Sequence, residues 1–85
     1  MKVLIPSALR SYTQSAQAEA SGSTLGEVLV DLDRQYPGIR FRMIDEQHQV
    51  RRHIRIFVNG VSANGLSQLL HPSDEVVIVQ ALSGG

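Results

Sequence analysis

Few side chains in this 85-residue chain could do chemistry of their own. There is no cysteine, which removes a thiol nucleophile, a disulfide framework and a thiolate metal site together. His48, His53 and His71 have no compact ligand spacing, so no metal site is expected. Ser83 has no base arranged to activate it. Gly22 and Gly26 lack the Lys-Ser/Thr that completes a phosphate loop. Arg51, Arg52 and Arg55 could touch phosphates, but one nearby phenylalanine and a formal net charge of zero do not make a nucleic-acid surface.

What remains is the run Ala81-Leu82-Ser83-Gly84-Gly85. A terminal carboxylate is a reactive handle that needs no side chain. The two glycines before it carry no Cβ, so the backbone can thread a narrow channel. Five extended residues reach roughly 17 Å, enough to enter the nucleotide site of a second protein while the globule stays outside. There ATP would convert the carboxylate of Gly85 to an acyl-adenylate, releasing pyrophosphate. A sulfur donor would then displace AMP and leave a thiocarboxylate. With no cysteine in the chain, that terminus is the sensible place for transferable sulfur. A Gly-Gly pair alone is also what an inert terminus looks like.

A tail of this kind needs a rigid body to present it. Length and composition give one domain, and 42% apolar residues with 5% aromatics give a core of Val, Ile and Leu. Val3-Leu4-Ile5 reads as a strand closed by Pro6, residues 7–15 as a Ser-rich loop, and residues 16–20 as a second strand paired to the first. Thr24-Leu25-Gly26-Glu27 fits a capping box. Leu25, Val28, Leu29, Leu32 and Tyr36 then form one helical stripe, ended by Pro37-Gly38. Ile39–Ile44 reads as a turn or extended piece and Asp45–Arg52 as a polar loop. Ile54–Val58 is a strand stopped at Asn59-Gly60. Leu66–Leu70 reads as one helical turn, and Glu75–Gln80, almost continuously apolar, as a strand central in its sheet. The expected fold class is α+β: a β-grasp (ubiquitin-like) arrangement with a mixed four- to five-stranded sheet, one main helix on one face, and the two end strands parallel. Residues 1–80 form the domain and residues 81–85 a flexible C-terminal tail.

Strand alternation predicts which face is open. Ile54, Ile56 and Val58 point one way, Arg55 and Phe57 the other; Val76 and Ile78 point inward, Glu75, Val77 and Val79 outward. Phe57, Val77 and Val79, with Arg55 at their edge, make a candidate docking surface, unless a loop or the tail covers them.

The charge is unevenly spread. Residues 34–55 hold six arginines against Asp45 and Glu46, net +4, while residues 1–33 and 56–85 are each net −2. The basic stretch could face an acidic partner or could be a solvated surface. The apolar run before Pro6 is too short for a signal peptide and no stretch would span a bilayer, so a cytoplasmic protein without membrane or nucleic-acid partners is expected.

Across its whole length the chain resembles the ThiS/MoaD group of ubiquitin-like sulfur carriers. The resemblance rests on a first strand beginning at residue 2, Ser23-Thr24-Leu25-Gly26-Glu27-Val28, Ile56-Phe57-Val58-Asn59-Gly60, Ser73-Asp74-Glu75-Val76, and Gly84-Gly85. Residues 3–10, 32–39 and the Arg-rich insert His48–His53 resemble the carriers that serve cysteine synthesis. The resemblance implies a carrier and not an enzyme, monomeric when free, with no cofactor of its own. A ubiquitin-activating-type adenylyltransferase would activate Gly85 using ATP. A sulfurtransferase or sulfide would load it, and a downstream synthase would consume the sulfur. It also implies docking through the open sheet face and the tail, which matches Phe57, Val79 and Leu82. Molybdopterin, thiamine and secondary-metabolite pathways stay open as destinations. Two rivals stay open as well: a noncovalent β-grasp binding module with an inert tail, and a protein modifier joined to lysine through Gly85.

Overall fold

The computed structural model describes residues 1–81. Strand β1 (Lys2–Leu4) leads into a 3₁₀ turn (Ser7–Leu9) and a short helix α1 (Arg10–Thr13), then β2 (Gln17–Glu19). Helix α2 (Leu25–Gln35) and a short α3 (Ile39–Met43) follow. Strands β3 (Ile54–Val58), β4 (Val61–Ser62) and β5 (Glu75–Gln80) complete the chain. The five strands lie in the order β2-β1-β5-β3-β4. β1 and β5 are parallel neighbours, and the other pairs are antiparallel. This is the expected β-grasp arrangement, with β5 at the centre of the sheet.

One face of the sheet and the apolar stripe of α2 close the core. Val3, Ile54, Ile56, Val58, Val76 and Ile78 from the strands meet Leu25, Val28, Leu29 and Leu32 from the helix, all buried. The helix begins as its sequence demands. Thr24 Oγ1 accepts the Glu27 N–H, and a Glu27 carboxylate oxygen accepts the Ser23 N–H, one residue before the cap. The next orphan donors go to a strap formed by residues 66–70: Leu25 N–H to Gln68 O at 3.0 Å and Gly26 N–H to Leu66 O at 2.8 Å. Gly26 allows that approach, since a Cβ there would lie 3.2 Å from Leu66 O.

Three expectations need correction. Residues 7–15 are not a plain loop: Leu9 and Thr13 are buried, and the backbone turns helically beneath them. Ile39–Ile44 is a helix over its first five residues, because Ile39, Met43 and Ile44 share one buried side. Leu66–Leu70 opens with a single turn at Leu66-Ser67, closed by Gln68 N–H to Gly65 O at 3.2 Å, and does not continue as a helix; Leu69 bridges to Thr24 and stays 78% exposed, while Leu70 goes inside. Asn59-Gly60 is the turn its sequence predicts: both residues lie at positive φ and close a two-residue hairpin onto the short β4. Within β2, Ala18 is inside as alternation required, but Ala16, before the strand, is exposed.

Candidate functional site

The site is built around β5. Its first residue is fixed by a clamp. Asn59 N–H donates to Glu75 O, Asn59 Oδ1 accepts the Glu75 N–H at 2.9 Å, and Asn59 Nδ2 donates to Asp74 Oδ1 at 2.8 Å. Asp74 also accepts the His71 N–H at 2.8 Å. The backbone donor of His71 and the amide of Asn59 hold the Asp74 carboxyl below its ordinary range. The left-handed backbone at Asn59 places both ends of its amide at the start of β5, so the Asn-Gly turn and the Ser73-Asp74-Glu75 stretch are one device.

From there β5 runs between two partners. Val76 and Ile78 go into the core, and Val77 and Val79 emerge on the other face. Register sets Phe57 opposite Val77 and Arg55 opposite Val79. Phe57 and Val77 are half-buried and Val79 is 40% exposed, so the four residues expected to form a docking surface do lie together. Arg55 borders the apolar row without covering it, because its Nη1 turns back to the Arg52 and Ile54 carbonyls.

One member of this face escaped the sequence reading. Leu4 pairs with Val77 across the parallel β1–β5 ladder and is half-buried on the same side. Leu4, Val77 and Phe57 therefore make an apolar row three strands wide. Its sequence offered no alternation to mark it, since Leu4 stands between two other apolar residues, Val3 and Ile5, both of which are buried. Below the row, Lys2 and Glu75 form an ion pair at 3.2 Å. The core side is filled by α2 and the open side carries no packed helix among the described residues.

At its far end β5 points the chain outward. The strand stops at Gln80, opposite Ile54, and Ala81 makes one further backbone bond, donating to His53 O at 2.8 Å. Ala81 is exposed. The other tail positions, Leu82, Ser83, Gly84 and Gly85, lie outside the described residues. No group of three or more His, Asp or Glu side chains that could hold a metal occurs among the described residues, and no helix there is long and apolar enough to cross a membrane.

Residues 3–85 match the ThiS family, a match that runs through Gly84-Gly85. The chain is 36% identical over 89 aligned positions to the sulfur carrier protein CysO of Mycobacterium tuberculosis, covering 98% of this chain and 96% of that protein. The crystal structure of an Amycolatopsis orientalis BexX/CysO complex contains a chain that superposes with a TM-score of 0.90 at 31% identity, covering 99% and 98% of the two chains. Small archaeal modifier protein 1 of Methanosarcina acetivorans superposes with a TM-score of 0.81 at 30% identity, covering 99% and 94%.

Proposed function

The chain belongs to the ThiS family, and from that premise we propose that it acts as a sulfur carrier charged at the carboxylate of Gly85. Its relatives are carriers and modifiers, and this chain is likewise a carrier and not an enzyme. The observation that carries the reading is the family match reaching Gly84-Gly85 in a chain whose central strand, β5, delivers the backbone to that segment. The body, residues 1–80, serves as a handle, and residues 81–85 are the working part.

In this reading Leu4, Phe57, Val77 and Val79, bordered by Arg55, dock on a partner enzyme while Ala81, Leu82, Ser83 and Gly84 thread its channel. A ubiquitin-activating-type adenylyltransferase transfers AMP from ATP to the Gly85 carboxylate and releases pyrophosphate. Sulfide, or a persulfide with a reductant, displaces AMP and leaves a thiocarboxylate. A downstream synthase takes the sulfur. Likeness to CysO favours cysteine synthesis as the destination, and the CysO chain found in complex with BexX favours recognition by a folded protein partner. The reactions belong to the cytoplasm, where ATP and the synthase meet.

The test is the intact mass of the protein purified from its native cell under mild conditions. Replacement of one oxygen by sulfur, mapped to Gly85, is expected. A plain carboxylate after incubation with ATP, sulfide and the organism's adenylyltransferase would overturn the reading. Adding one residue after Gly85 is expected to abolish ATP–pyrophosphate exchange and leave the melting temperature unchanged. The likeness to an archaeal modifier protein supports a second reading, in which a lysine amine accepts the same acyl-adenylate. An isopeptide-linked Gly85 in peptides from native cells would establish it.

A further inference from the structure

Beside the root of the tail lies a surface groove of about 420 Å³, lined by Leu9, Phe41, Arg42, Arg51, His53 and Gln80. Gln80 is the last residue of β5, and the His53 carbonyl holds Ala81. Among the described residues no carboxylate lines the groove. Two elements build it: the helix α3, which supplies Phe41 and Arg42, and the segment before β3, which supplies Arg51 and His53.

The two arginines are aimed. Arg42 donates its Nε to Tyr12 Oη at 2.9 Å. Arg51 donates its Nε to the Phe41 carbonyl at 2.8 Å and stacks its guanidinium 4.6 Å from the Phe41 ring centroid. Phe41 itself is 57% exposed. Each side chain is thus fixed through Nε, and the Nη edges of Arg42 and Arg51 have no hydrogen-bond partner among the described residues. A planar guanidinium held by one edge presents a fork that fits a carboxylate.

Nor do the described residues neutralise them. Among the described residues Arg34 pairs with Asp31, while Arg40, Arg42, Arg51, Arg52 and Arg55 pair with no carboxylate. Asp45 feels the field of Arg51, but its Oδ1 is engaged by the Gln47 and Gln49 N–H groups. A basic site held in place, with no counter-ion among the described residues, fits an acidic group supplied by a partner.

We propose that this groove is a second docking site, which binds an acidic segment on the rim of the activating enzyme's tail channel; the proposal rests on the carrier reading above. Distance favours the rim over the nucleotide. From Ala81 to Gly85 an extended backbone reaches about 14 Å, so with the tail inserted the groove stays at the channel mouth while the carboxylate is at the ATP. The groove then sets the direction in which the tail enters, and the apolar row supplies contact area from another side of β5.

The experiment is ATP–pyrophosphate exchange by the organism's own adenylyltransferase, with the full-length chain as substrate. R42E/R51E is expected to raise the KM for the carrier at least tenfold, to leave kcat within twofold, and to flatten the dependence of KM on salt concentration. R42Q/R51Q, which introduces no new charge, is expected to fall between that variant and the wild type with a similar melting temperature. A carrier KM within twofold of wild type for both variants would overturn the proposal. A penalty that falls on the KM for ATP instead would assign the groove to a phosphate and overturn it also. Failure of the wild-type chain to support exchange at all is a different result, because it removes the carrier reading itself.

Discussion

The open face of the sheet and the groove beside the tail root flank the same strand and are made of opposite materials. The face is an apolar row: Leu4, Val77 and Phe57, with Val79 next to it. The groove is two aimed arginines, Arg51 stacked on the exposed Phe41 ring and Arg42 held by the Tyr12 hydroxyl. Burying apolar area is non-directional and almost indifferent to salt. Pairing aimed charges is directional and falls away as salt rises. The difference teaches a division of labour. A flat apolar row can hold a partner without fixing how the chain is turned, and two forks at the tail root can fix the turn without contributing much area.

Experiments that separate these materials would break or sharpen the comparison. The largest effect is expected from a carboxylate in the middle of the row. Phe57→Asp would place an unpaired charge in the contact at ~3 kcal/mol, roughly a hundredfold in carrier KM. That penalty should persist in high salt, whereas that of R42E/R51E should shrink. If both faded alike, the division of labour would be wrong. Tyr12→Phe removes the hydroxyl that aims Arg42 and keeps the ring, so a rise of about threefold in carrier KM is expected at low salt, within the range of one hydrogen bond. Tyr12→Phe should leave high-salt kinetics unchanged, which a merely structural defect would not.

The smallest effect on docking is expected from Asp74→Asn, at the far end of β5. It should leave both interfaces intact and act on stability. The folded-state pKa of Asp74 is lowered, so its stabilising contribution is present above the unfolded value near 3.8 and is lost as pH falls through the lower folded value. Thermal unfolding should show the wild type ahead of Asp74→Asn at neutral pH, with the gap closing below 3.8.

How far the sequence disclosed each region follows from the physics of each. The sheet face was legible because β3 and β5 are long enough for alternation to show, and Arg55 and Glu75 set the parity. Leu4 was missed because β1 is three residues long, too short for a period to stand out from its neighbours. The capping box at Thr24 and the stripe of α2 were legible for the same reason as the face, since a local rule repeats over enough residues. The groove was not. The six arginines could be counted, but which of them are aimed depends on Tyr12, 30 residues away from Arg42, and on Phe41, whose position follows from a five-residue helix with no cap side chain. The strap 66–70 misled for a related reason. Its backbone serves the N-terminus of α2, a demand from another element that its own residues do not announce.

The position of β5 has a mechanical consequence. A partner that grips the tail pulls on the C-terminal end of a strand held on one side by parallel β1 and on the other by antiparallel β3. The pull runs along both ladders, so their rungs are strained together in shear and do not open one after another from an edge. Had the tail followed an edge strand such as β2 or β4, the same tug would have peeled that strand away like a zip. On the proposed carrier reading, a body drawn by its end into and out of channels would be tethered through the strand best placed to bear the tension.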